Sequence, residues 1–119
     1  MAYVHGVDAV GQALSDASDA DELVAIPSTC LLEAYSVLGF GAEFEMLGVL
    51  RAHPSVQVVQ PSPHHPDDLP FIGGMAARAK RLGAGHAAYL AMASAAAVYT
   101  TRADEIHTIL GTGWPVVEV

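Results

Sequence analysis

This sequence has little sulfur chemistry, little positive charge and no long apolar run. One cysteine, Cys30, excludes an internal disulfide, and its apolar surroundings suit a buried structural thiol better than a reactive one. Five Lys and Arg residues against 13 Asp and Glu give a formal charge of −8, which repels a phosphate backbone. Contact with nucleic acid would therefore need a local basic cluster, a metal or a basic partner. The cluster available is Arg78, Lys80 and Arg81, read most simply as a solvated helix face near a C-terminus. No stretch approaches the about 18 apolar residues of a membrane span, and no basic-then-apolar leader is seen, so a cytoplasmic protein without membrane contact is expected. GxGxxG, Walker-type, paired-cysteine and GxSxG patterns are all missing.

What is present is a core. With 119 residues, 52% of them hydrophobic and 15% charged, the chain is expected to fold as one domain over 1–119. Val7, Val10, Leu14 and Ala17 form one stripe of an amphipathic helix, and residues 1–6 before it are read as a short N-terminal strand or arm. Leu23 to Ile26 reads as a compact strand closed by Pro27. Ser28 or Thr29 can cap the helix that follows, with Leu31, Leu32, Tyr35 and Leu38 as its buried stripe and Gly39 as its end. A helix over Ala42–Ala52 stops before Pro54, and Val56–Val59 is the next strand. Gln60 to Pro66, with three prolines in seven residues, is a loop. Asp67 or Asp68 caps a helix that carries Gly73-Gly74 and ends near Leu82-Gly83.

The stretch from Ala84 to Glu105 organises the rest. Ala87, Leu90, Ala91 and Ser94 share one face of a buried helix, and Ala97–Thr101 is a short, partly β-branched strand running into Arg102, Asp104 and Glu105. A last helix over Glu105–Leu110 and a closing strand over Trp114–Val119 complete four strands that alternate with helices, which predicts an α/β fold with a mainly parallel sheet. Ligands of such sheets bind outside the carboxyl ends of the strands.

Three features fall on that rim: Glu33, His86 and the Arg102–Glu105 cluster. Converging carboxylates bind hard divalent cations, and bound Mg²⁺ or Mn²⁺ can generate hydroxide and stabilise phosphoryl charge. Each residue also has a structural role open to it. Glu33 suits the dipole of an early helix turn, Asp104 suits a helix cap, and His86 suits capping or packing. His64-His65 with Asp67-Asp68 has metal-like composition but lacks the spacing of a structural zinc site.

Ile26-Pro-Ser-Thr-Cys-Leu-Leu-Glu33-Ala-Tyr35 resembles the second strand and following helix of PIN domains, in which a Glu at this place is one of the acidic metal-site residues. Gly85-His-Ala-Ala-Tyr-Leu-Ala-Met-Ala93 and Ala97-Val-Tyr-Thr-Thr-Arg-Ala-Asp104 resemble their later helix and the strand that ends in a Thr-x-Asp type motif. Trp114–Val119 resembles their final strand. The resemblance implies a three-layer PIN-like domain related to the Mg²⁺- or Mn²⁺-dependent ribonucleases of bacterial toxin-antitoxin pairs. It implies Glu33 and Asp104 as metal ligands, Glu33, Asp104 and, as a substitute, His86 as catalytic residues, and RNA, an antitoxin-like protein and a second copy of the chain as partners. The family begins with a central strand ending in Asp, which here would be missing or shortened, with Asp8 as the nearest stand-in. The family's third acid falls on His86, and its fourth on Arg102 or, with a shift of two residues, on Asp104. An imidazole brings no negative charge and Arg102 repels a cation, so the resemblance implies a degenerate acidic site with weakened or lost nuclease activity. The alternative it leaves is a non-catalytic interaction protein.

Overall fold

The computed structural model describes residues 2–5, 8–20, 22–38, 41–61 and 68–119. Among the described residues the order is β1 (Ala2–His5), α1 (Asp8–Ala20), β2 (Val24–Pro27), α2 (Ser28–Leu38), α3 (Ala42–Arg51), β3 (Val56–Val59), α4 (Asp68–Ala79), α5 (Leu82–Ser94), β4 (Val98–Thr100), α6 (Ala103–Leu110) and β5 (Val116–Glu118). The five strands form one sheet in the order β3-β2-β1-β4-β5, and every described pairing is parallel. The α/β class with a parallel sheet is therefore as the sequence implies, with one strand more than the four read from composition.

That extra strand lies within residues 1–6, read above as a short strand or arm. Ala2–His5 is the central strand, paired with β2 through Ala2 and Tyr3 and with β4 through Tyr3, Val4 and His5. Its alternation places successive residues in different cores, as the period of two in a strand requires. Tyr3 joins Ala25, Val98, the alanines of α5 and Ile106 and Ile109 of α6 on one face. Val4 joins Val24, Ile26, Ala9, Val10 and Ala13 of α1, Leu31 and Ala34 of α2 and Leu47 of α3 on the other. Helices thus cover both faces, and the near-continuous apolar strands are those of a sheet buried on both sides.

Two local readings need correction. Leu32, expected in the buried stripe of α2, is 68% exposed, because α2 packs through Cys30, Leu31 and Ala34 instead. The helix expected to run to Leu82-Gly83 stops at Ala79. Lys80 turns left-handed at φ 56°, Arg81 is extended, and α5 starts at Leu82 with both glycines inside it. Gly39, which was to end α2, the loop of His64 and His65, and the cap Asp67 lie outside the described residues.

The glycines decide how closely α4 and α5 pack. A Cβ on Gly85 would lie 2.5 Å from Ala76 Cα, inside any real contact, whereas Gly74 has nothing within 4 Å. Gly85→Ala should therefore cost about 1–3 kcal/mol by overpacking, while Gly74→Ala should gain about 0.5–1 kcal/mol from helix propensity. Urea denaturation of the two variants reads the contrast, and equal effects would contradict the close approach.

Candidate functional site

The strand order reverses direction between β1 and β4, so the carboxyl ends of these two neighbours form the crevice that open parallel sheets offer to ligands. His5 ends β1, on the same sheet face as Tyr3 and opposite its register partner Thr100. Both are buried, and their side chains meet with Nδ1 at 3.0 Å from Oγ1. His5 Nε2 points at Glu105 Oε2, 3.5 Å away. A carboxylate only accepts hydrogen bonds, so it selects the tautomer with the proton on Nε2. The Thr100 hydroxyl then donates to Nδ1 while accepting the Arg102 amide N–H at 2.9 Å. Burial lowers the His5 pKa against the opposing pull of Glu105, which keeps the imidazole neutral.

Two carboxylates and two guanidiniums surround this histidine. Arg81 donates through Nε to Glu105 Oε1 at 2.9 Å and reaches Glu33 Oε2 through Nη1 at 3.5 Å. Arg102 Nη1 adds a contact to Glu105 Oε1 at 3.4 Å. The other oxygen of Glu33 accepts the N–H of Gly83, in the first turn of α5. Glu33 thereby satisfies an orphan amide at a helix start whose N-cap, Arg81, supplies no side-chain cap. A side chain at Gly83 would collide with that carboxylate, so the glycine is what lets Glu33 in. His5, Glu33, Arg81 and Arg102 border a pocket of about 700 Å³ that is also lined by Val37, Leu38, Met46 and Leu50 of α2 and α3 and by the Glu43 carboxylate of α3.

The three residues singled out from the sequence are placed differently from one another. Glu33 lines the pocket. Asp104 sits in the first turn of α6, exposed and outside the pocket lining, and its neighbour Glu105 is the acid that enters the cluster. His86 is fully buried in α5, with Nδ1 at 2.8 Å from the Thr29 hydroxyl and Nε2 without a hydrogen-bond partner. Arg81, read as part of a solvated helix face, turns into the cleft. Asp8 begins α1, and its side chain is not among those described.

Sequence reasoning placed Glu105 in the rim cluster but chose Asp104 within it, took Arg81 for a solvated helix face and found no partner pattern for His5. A signal existed for Glu105: a helical wheel anchored on the apolar Ile106 and Ile109 turns residue 105 toward the sheet and 104 to solvent. His5 closes the alternating segment Ala2-Tyr-Val-His5, which the architecture needs as a strand.

The residues present do not fit a divalent ion as they are arranged. Both carboxylates already face guanidinium groups, the His5 nitrogen nearest them carries the proton, and formal charge sums to zero over Glu33, Glu105, Arg81 and Arg102. Among the described residues no group of three or more His, Cys, Asp or Glu side chains is set to hold a metal ion. No described helix is long and apolar enough to cross a membrane. No protein-family model and no curated protein matches the chain.

The buried imidazole of His86 gives the fold an acid-sensitive element. Burial lowers its pKa from 6.5 to about 4, so between those values the unfolded chain binds more protons than the folded one. Stability from this group is complete above pH 6.5 and is lost as the pH falls toward 4. The gap between the two values, at about 1.4 kcal/mol per pH unit, bounds the loss at roughly 3.5 kcal/mol. Denaturation of the wild type and of His86→Leu at pH 7 and 4.5 should show a flatter profile for the variant. Superimposable profiles would remove His86 from the account.

Proposed function

We propose that the chain is a PIN-domain-like protein, related to the Mg²⁺- or Mn²⁺-dependent ribonucleases of toxin-antitoxin pairs, with its nuclease activity weakened or lost. One observation carries this reading: the carboxyl ends of β1 and β4 present two carboxylates offset by two guanidiniums and a neutral imidazole. The resemblance calls for an acid at the end of the central strand, and His5 stands there. Two-metal hydrolysis needs net negative charge to gather its cations around a phosphate. Around Glu33 and Glu105 the two guanidiniums cancel it, so Mg²⁺ or Mn²⁺ is the cofactor of the relatives on this reading rather than of this chain. A cytoplasmic location goes with it.

The second reading, a non-catalytic interaction protein, is favoured by the apolar side chains of Leu32, Val37, Met46 and Val49, all exposed on α2 and α3. An antitoxin-like protein or a second copy would cover them, and sedimentation of the purified chain tests for the second copy.

The test of the main reading is incubation of single-stranded and hairpin RNA with the purified protein and millimolar Mn²⁺ or Mg²⁺. No cleavage is expected above the level of a Glu33→Gln, Glu105→Gln double variant. Cutting by the wild type that the double variant lacks would overturn the loss of activity.

A further inference from the structure

We infer that Arg81 is a built-in counter-cation for the Glu33 and Glu105 carboxylates, and that its guanidinium, in place of a divalent metal ion, holds this cleft together. The metal it displaces is named on the PIN-like reading above, while the rest follows from contacts within this chain.

The backbone delivers Arg81 to this place. Lys80 in the left-handed conformation ends α4 abruptly, and the Arg81 amide bonds back to Ala76 O at 3.1 Å, so the next residue departs in a fixed direction. Arg81 is then extended at φ −150° and ψ 122° as the residue before α5. Its planar donors serve two acceptors from different elements, Nε on Glu105 of α6 and Nη1 on Glu33 of α2. Glu33 is also tied to the Gly83 N–H, two residues past Arg81. One carboxylate thus binds both the cation and the helix start behind it.

A guanidinium suits this task because it cannot lose its proton under the conditions of life and its fork of donors can bridge two carboxylates. The Arg81 side chain is 37% exposed and that of Glu105 only 12%, so the pairing works partly out of water, where an unmatched carboxylate is costly. A divalent ion entering between Glu33 and Glu105 would have to expel Arg81 and would then meet Arg102, which also contacts Glu105. Removing Arg81 alone leaves Glu33 and Glu105 with one positive charge between them and His5 beside them. That is the charge deficit a hard cation fills.

The experiment measures thermal unfolding of the full chain with and without millimolar MnCl₂, with free Mn²⁺ followed by electron paramagnetic resonance. For the wild type the midpoint should stay within about 1 °C on adding Mn²⁺, with no loss of the free-ion signal. Arg81→Met should gain about 5 °C or more with Mn²⁺, and adding Glu33→Gln should abolish that gain. Arg81→Lys, which keeps the positive charge but not the fork of donors, should show no Mn²⁺ gain, as in the wild type, from a lower starting midpoint. If Arg81→Met does not fold alone, refolding driven by Mn²⁺ is the same positive result. An equal Mn²⁺ effect on the wild type, or none on Arg81→Met, overturns the inference. RNA cleavage by a wild type that shows no Mn²⁺ shift would instead overturn only the proposed function.

Discussion

Pairing of β1 on both of its edges is the constraint on which the rest of the molecule depends. Four residues occupy the middle of the sheet, and every other element is arranged around them: β2 and β3 to one side, β4 and β5 to the other, with α1 packed on one face and α5 on the opposite one. A buried parallel sheet cannot leave its central backbone groups unpaired. Ala2–His5 therefore has to be a strand, and at four residues it is as long as β2 and β3. Once it is there, its last residue is carried into the crevice at the point where strand order reverses.

His5 arrives in that crevice as a neutral group, and the charges around it balance. Glu105 is the junction, meeting Arg81, Arg102 and His5, while Glu33 is divided between Arg81 and the start of α5. The arrangement joins α2, α5 and α6 to the sheet through side chains rather than through apolar packing alone. Guanidinium groups of the same chain meet Glu105 Oε1 and Glu33 Oε2, and the Gly83 N–H meets the other Glu33 oxygen, while Glu105 Oε2 is buried beside His5 with no hydrogen bond among the described residues. Function resides in the site, and the fold only positions it.

The legible parts of the sequence were those whose signal is local. Val56–Val59 and the helix before it showed in hydrophobic period and proline punctuation, and so did the buried alanine face of α5. Glu33 could be placed near the rim because it follows a compact strand by one helical turn or so. Arg81 could not be read correctly, since its direction depends on a single left-handed residue that divides what composition presents as one continuing helix. Asp104 and Glu105 are adjacent acids that only the helical wheel of α6 can rank. About 100° of rotation on the helix separates them, and the burial of Ile106 and Ile109 settles which one faces the sheet.

By itself the sequence determined the class of fold, through apolar segments of strand length alternating with segments of helical period, and it determined a net negative chain with few cations to spend. Only the tertiary structure decided which of those cations meet which acids. The two ion pairs of Arg81 join residues 24 and 48 positions apart, and such partners are chosen by where packed helices bring their ends together, not by spacing along the chain.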